Sequence, residues 1–226
     1  MTLPYSRFPW ERALDGIQGA GFKFVAWGTT HEEKPAKELG TQCRDRGLEP
    51  VMMFSMIYPE HRDAPEVFRA RIRQASAAGI KQVLTFGHTE GGNRDLWVKR
   101  FQELGPIARD HGVMIVLKQH GGETGTGAAC AEIVRAVADE GVRVNYDAGN
   151  VMDYLNLDPL EDIQSCAKEI RSFCIKDHRN FPRDEDCGPG FGEIDHYKLL
   201  HTVAFTDLTI PLCCENIFAP LIPRPK

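Results

Sequence analysis

The sequence of 226 residues has no long apolar run and no cluster of basic residues. Apolar stretches such as residues 113–117 are far shorter than the ~18 residues that a membrane-spanning helix requires. The formal net charge is −5, and this acidic balance argues against a nucleic-acid or anionic-membrane partner. The first residues also lack a charged segment followed by an apolar core, so we expect no secretory signal.

The cysteines form no Cys-x-x-Cys pair, and their number, seven, is odd. We interpret them as reduced thiols of a cytoplasmic protein and expect no structural zinc site. The composition, with 42% hydrophobic and 26% charged residues, is that of an ordinary globular protein. Because α/β barrels run to about 250 residues, we expect one domain over residues 1–226.

Short apolar runs recur along the chain with a constant spacing. They start at residues 22, 51, 82, 113, 142, 170 and 208, mostly about 30 residues apart, which is the length of a βαβ unit. Most are apolar at consecutive positions, as expected of strands buried on both faces of a parallel sheet. The segments between them are predicted helices, at residues 10–18, 35–46, 65–78, 94–110, 128–140 and 160–168.

Five glycines stand just before predicted strands, where they are expected to end the preceding helices. These are Gly21, Gly47, Gly79, Gly112 and Gly141. No Rossmann fingerprint follows the first strand, and an eighth strand fits only at residues 1–5. The pattern therefore predicts an α/β fold, a (β/α)₈ TIM barrel.

The chain after the last predicted strand is short and rich in proline at residues 220–226. We therefore expect the barrel to lack its last closing helix. A barrel without that helix exposes apolar strand surface, which predicts either a homo-oligomer or a piece of a longer chain.

Chemistry in parallel α/β barrels takes place at the carboxyl ends of the strands. Asp147 and Glu215 emerge directly from two strands and are expected to act as ligands or catalytic groups. Lys118-x-His120 and Lys176-x-His178 repeat one pattern on two strands, and the two-residue period of a strand places each Lys and His on one face. His88 follows a further strand as a weaker candidate.

Two glycine-rich stretches complete the candidates. Residues 121–127 lead into a predicted helix whose first amides could hold an anion, and residues 188–195 form a candidate substrate-covering loop. Simple turn formation is the better explanation of both stretches. Phe54 and Phe86 are interpreted as core residues.

Several segments together resemble the sugar isomerase and epimerase proteins with a xylose isomerase-like barrel. They lie in the same order as in that family, over nearly the whole chain. The matching segments are Lys118-Gln119-His120-Gly121-Gly122, Asp147-Ala148-Gly149-Asn150, Ile175-Lys176-Asp177, residues 190–195 and Glu215-Asn216.

The resemblance implies a divalent metal ion, which family members hold through two glutamates, an aspartate and a histidine. By position, the aspartate corresponds to Asp147 and the last glutamate to Glu215. Lys118 stands where the family has its first glutamate, and Cys174 stands where it has the histidine. A lysine cannot replace a carboxylate ligand, and His120 and His178 are candidates to restore an imidazole ligand for Mn²⁺, Mg²⁺ or Zn²⁺. Cys174 could also act as a ligand, and its soft thiolate would favour zinc.

The first hypothesis is a metal-assisted enzyme that acts on a small sugar or keto-sugar through an enediolate. Asp147, Glu215 and either His120 or His178 would hold the ion, and Lys118, Lys176 and Glu215 would be catalytic. Substrate binding is assigned to His88, Asn150, Asp177 and Gly190. Isomerisation, epimerisation and elimination remain open.

Two alternatives stand beside it. A metal-free enzyme would use Lys118 or Lys176 to form a Schiff base with a carbonyl substrate. A non-catalytic barrel would bind a sugar or serve as an accessory subunit.

Overall fold

The computed structural model describes residues 1–28 and 33–215, and helices and strands alternate along it. The strands are β1 (Phe24–Trp27), β2 (Glu49–Phe54), β3 (Gln82–Thr85), β4 (Met114–Lys118), β5 (Val142–Asp147), β6 (Ile170–Ile175), β7 (Asp177–Arg179), β8 (Glu185–Cys187) and β9 (Leu212–Cys214). The helices are α1 (Trp10–Gly19), α2 (Glu33–Asp45), α3 (Ala64–Ala78), α4 (Arg94–Asp110), α5 (Gly127–Val137), α6 (Ala148–Leu155), α7 (Pro159–Asp162) and α8 (His196–His201).

Seven of the strands form one parallel sheet in the order β1-β2-β3-β4-β5-β6-β9. Helices cover its outer face, and the sheet curves until its two edges nearly meet. The predicted TIM-barrel class is thereby confirmed. β7 and β8 form a separate antiparallel hairpin, which the sequence pattern did not predict.

Within the described residues, the seam between β1 and β9 is bridged by the first two residues and not by an eighth strand. The Met1 amino group donates to the Cys214 carbonyl (3.1 Å), and the Thr2 amide donates to the Ala26 carbonyl (2.9 Å). The strand predicted at residues 1–5 is therefore wrong. Leu3–Tyr5 is a 3₁₀ turn, because Pro4 has no N–H to give to a strand ladder.

The predicted elements and the observed ones differ most near the end of the chain. The last strand begins at Leu212 rather than at Leu208, directly after Pro211. The helix predicted at residues 160–168 is the short α7 followed by two 3₁₀ turns. Residues 220–226, on which the prediction of a missing closing helix rests, lie outside the described residues.

Four of the predicted helix-ending glycines, at positions 21, 47, 79 and 112, have the expected positive φ. Gly141 does not, because Ala138 already ends α5 in the left-handed conformation. Gly141 is required for a different reason. A Cβ at this position would lie 2.0 Å from the carbonyl oxygen of Gly105 in α4.

Two hydrophobic layers hold the barrel together. The larger one lies between the sheet and the helices and includes Trp97, Phe101 and Tyr146. The smaller one fills the barrel interior and consists of Ala26, Met52, Leu84, Val116, Cys174 and Cys213. All seven cysteines are free thiols, and no helix in the described part of the chain is long and apolar enough to cross a membrane.

Gly141→Ala is expected to destabilise the fold by about 2–3 kcal/mol, because the added methyl group meets rigid backbone rather than a movable side chain. Urea unfolding at equilibrium measures the change. Gly19→Ala is the matched control, since nothing lies within 4 Å of its Cβ position at the end of α1. Equal stability of the two variants would contradict the packing argument.

Candidate active site

The candidate site is a layer of inward-facing side chains that lies directly beside the apolar interior, towards the carboxyl ends of the strands. Strand side chains alternate between faces, so the residues two positions beyond the interior layer also face the barrel axis. Met52 is followed by Phe54, Leu84 by Phe86, Val116 by Lys118, Cys174 by Lys176, and Cys213 by Glu215. Asp147 at the end of β5 completes this layer at the carboxyl ends of the strands.

Asp147 has two structural roles because β5 runs directly into α6. Its Oδ1 accepts a hydrogen bond from the Asn150 amide at 3.0 Å and so caps the helix. Its Oδ2 lies 3.0 Å from Lys118 Nζ. The side-chain oxygen of Gln119 accepts from the Asp147 amide at 2.8 Å, which fixes the residue between β4 and α6.

Lys118 lies between two carboxylates and two aromatic rings. Its Nζ donates to Glu215 Oε1 at 2.6 Å, in addition to the contact with Asp147. The ring centroids of Phe86 and Phe54 lie 5.1 and 5.9 Å from the same nitrogen. Lys118, Asp147 and Glu215 are all at least 96% buried, so water does little to screen these contacts.

The charges of this group shift the pKa values in different directions. Burial alone lowers the pKa of Lys118, but Asp147 and Glu215 outweigh it and raise that pKa. Burial raises the pKa of Glu215, and the nearby Asp147 carboxylate adds to this effect. For Asp147, burial is outweighed by Lys118 and Lys176, which lower the pKa. Two adjacent carboxyl groups with opposite shifts can serve as proton donor and proton acceptor.

Lys176 joins the site to the β7–β8 hairpin. Its Nζ lies 3.0 Å from Asp186 Oδ2, and the other oxygen of Asp186 lies 3.3 Å from His178 Nδ1. The lysine stem packs on the backbone of Gly149, where a Cβ would lie 2.6 Å from it. Burial lowers the pKa of Lys176, but Asp147 and Asp186 outweigh burial and raise it.

The two histidines predicted as metal ligands have other contacts. His120 stacks on Phe86 with ring centroids 4.4 Å apart, and its Nε2 lies 3.5 Å from the Tyr154 hydroxyl. Burial and the charge of Lys118 lower the pKa of His120. His178 is buried, and its Nε2 lies near Asn180 and Asp184 on the hairpin.

The residues predicted to bind substrate are placed in different ways. Asn150 donates to the Gln119 carbonyl at 2.6 Å and so ties α6 to β4. His88 is exposed beside Gly122. Asp177 accepts four backbone hydrogen bonds of 2.9–3.1 Å, from His178, Gly190, Gly192 and Ile194. This carboxylate therefore holds the 188–195 loop, and the substrate-binding roles of Asp177 and Gly190 stay predictions.

Three residues were not recognised as functional candidates from the sequence. Phe54 and Phe86 were interpreted as core, although their alignment two residues beyond Met52 and Leu84 placed them level with Lys118. Asp186 gave no signal, because the hairpin that brings it to Lys176 was not predicted.

Two groups of residues have the donor types that metal ions bind. Ligand atoms of Asp147, Cys174 and Glu215 lie within 4.8 Å of one another, as do those of Asp153, His178 and Asp184. The predicted set is thus divided: His178 belongs to the second group, and among the described residues His120 belongs to neither.

The first group does not fit a divalent ion as it stands. The ammonium of Lys118 already contacts the carboxylate oxygens that would be the ligands. Burial also raises the pKa of the Cys174 thiol well above its ordinary value, which opposes the thiolate that metal binding requires.

Parallel strands alternating with helices, with ionisable side chains gathered at their carboxyl ends, define an α/β barrel. The model of the xylose isomerase-like TIM barrel family matches residues 14–224. The chain therefore belongs to the xylose isomerase-like TIM barrel family.

Solved structures agree with this fold at low sequence identity. A xylose isomerase-like TIM barrel protein from Mycobacterium smegmatis in complex with magnesium has a TM-score of 0.79 and 18% identity, over 93% of this chain and 82% of that one. The 3-keto-D-glucoside 4-epimerase from E. coli has a TM-score of 0.77 and 11% identity, over 96% of this chain and 91% of that one. The IOLI protein with a binding zinc atom has a TM-score of 0.74 and 20% identity, over 93% of this chain and 84% of that one. No curated protein matches the chain.

Asp177→Asn is expected to destabilise the fold by about 2–4 kcal/mol, because an amide cannot accept all the backbone N–H groups that the carboxylate satisfies. Urea unfolding measures the loss, and limited proteolysis shows whether residues 188–195 become accessible. Asp207→Asn, at an exposed position, is the control. An unchanged unfolding midpoint for Asp177→Asn would show that the loop does not depend on this carboxylate.

Proposed function

We propose that this protein is an isomerase or epimerase of a small sugar or keto-sugar that moves a proton at the carbon next to a carbonyl group. The observation that carries the proposal is the buried contact of Lys118 with Asp147 and Glu215 at the carboxyl ends of the strands. Membership of the xylose isomerase-like family and the epimerase among the similar structures support it.

The arrangement suits this chemistry because it joins carboxyl groups with a buried cation. A carboxylate takes the proton from the carbon beside the carbonyl, and the electron pair of that C–H bond moves towards the carbonyl oxygen. An ammonium beside this oxygen stabilises the enediolate charge in a site that excludes water. Return of the proton to the former carbonyl carbon, with the proton of the neighbouring hydroxyl group passing to the former carbonyl oxygen, gives isomerisation. Return of the proton to the opposite face of the carbon that lost it gives epimerisation.

The residues take distinct roles in this proposal. Asp147 and Glu215 exchange the proton, and Lys118 stabilises the oxygen. Lys176, held by Asp186, adds a second positive charge beside Asp147. Phe54 and Phe86 form the apolar wall of the same layer. The ion pairs of Lys118 favour this mechanism over the Schiff-base alternative, because a Schiff base needs a neutral amine.

Solvent proton exchange tests the proposal whichever product the reaction gives. Keto-sugars and aldoses are incubated with the protein in D₂O, with and without added Mg²⁺, Mn²⁺ or Zn²⁺, and the C–H signals beside the carbonyl are followed by NMR. At least one sugar is expected to exchange. Glu215→Gln is expected to slow that exchange by about 100-fold or more, because it removes a proton-transfer group.

Glu49→Gln is the matched control, because Glu49 is exposed at the opposite end of the barrel and should leave exchange unchanged. Borohydride added with the reacting sugar should trap no adduct. Thermal stabilisation by a sugar without any exchange would replace the proposal with the non-catalytic sugar-binding barrel.

A further inference from the structure

The Lys118 ammonium lies where a metal ion bound by Asp147 and Glu215 would lie. Its Nζ lies 3.0 Å from Asp147 Oδ2 and 2.6 Å from Glu215 Oε1. A divalent ion bound by these carboxylates would stand about 2.0–2.6 Å from oxygens of the same two groups. The ion and the ammonium therefore compete for one place, and both cannot occupy it.

The surroundings hold the ammonium in that place. The rings of Phe86 and Phe54 also lie near it, at distances suited to cation–π attraction. The lysine side chain is only 5% exposed, so it has little access to water. Moving it away would leave two buried carboxylates without their nearest positive charge, which is strongly unfavourable.

The other positions at which the family has metal ligands do not add a ligand for an ion here. Cys174 offers a buried thiol where the family has a histidine, and the ring nitrogens of His120 and His178 do not join the Asp147 group. Compared with the family's ligand set, the site thus has one carboxylate fewer and one cation more.

We infer that the Lys118 ammonium takes the place of the divalent ion, so that the Asp147–Glu215 site of this protein is independent of metal. The inference deepens the proposed function and rests on it for the identity of the ligand. The ammonium carries three N–H donors, of which one bonds Glu215 Oε1. Another is the donor for an oxygen of a sugar bearing a carbonyl group.

Metal content of the purified wild-type protein tests the inference directly. After incubation with Mn²⁺, Mg²⁺ or Zn²⁺ and desalting, we expect no ion that depends on Asp147. About one equivalent of ion that is lost in Asp147→Asn would overturn the inference. An ion that persists in Asp147→Asn but is lost in His178→Gln belongs to the group of Asp153, His178 and Asp184, and agrees with it.

Lys118→Glu tests the same point in the opposite direction. It restores a carboxylate in place of the cation, and we expect it to bind about one equivalent of Mn²⁺ or Zn²⁺ and to gain thermal stability on binding. Lys81→Glu, with the same charge change at the amino end of β3, should gain no ion. A folded Lys118→Glu variant that binds no more ion than the wild type would overturn the inference. If this variant does not fold, the metal content of the wild type still decides.

Proton exchange in EDTA separates this inference from the proposed function. Exchange that persists in EDTA supports both. Exchange that appears only with added metal supports the enzyme and overturns the metal-independent site. A protein without exchange and without an Asp147-dependent ion contradicts the proposed function alone.

Discussion

The buried contact of Lys118 with Asp147 and Glu215 governs how the whole site is built. Two carboxyl groups at the centre of a barrel need a compensating positive charge, because water cannot reach them. Lys118 supplies this charge from β4, and Lys176 adds to it from the end of β6. The contact also joins the middle of the sheet to its last strand across the barrel axis.

The same contact explains why neighbouring residues are placed as they are. Asp147 must face Lys118 with one oxygen while the other caps α6, and Gln119 fixes its backbone amide. Gly149 leaves room for the stem of Lys176, which reaches Asp186 on the hairpin. The hairpin and the loop after it are held in turn by the Asp177 carboxylate. One electrostatic centre is thus supported by successive layers of local contacts.

Features that depend on residues close together in the sequence were predicted correctly more often than features that depend on contacts between distant segments. The strands from β2 to β6 and the helices α1 to α5 were predictable, because apolar runs and helix faces are local signals. The strand at residues 1–5 was wrong because a proline decided the local conformation. Gly141 was assigned to helix termination, although a close approach of α4 explains it. That approach joins Gly141 to Gly105, far apart along the chain, and no local pattern reveals it.

For the site, sequence alone was enough to identify the ionisable residues at strand ends, since the alternation of a strand decides which side chains share a face. Lys118, Asp147, Lys176 and Glu215 were therefore recognised as one set. How they meet depends on the tertiary structure. The curvature of the sheet brings Glu215 into contact with Lys118, 97 residues away along the chain. The hairpin places His178 beside Asp186 rather than beside Asp147. Sequence spacing sets the direction of a side chain, whereas its partner depends on packing between distant segments.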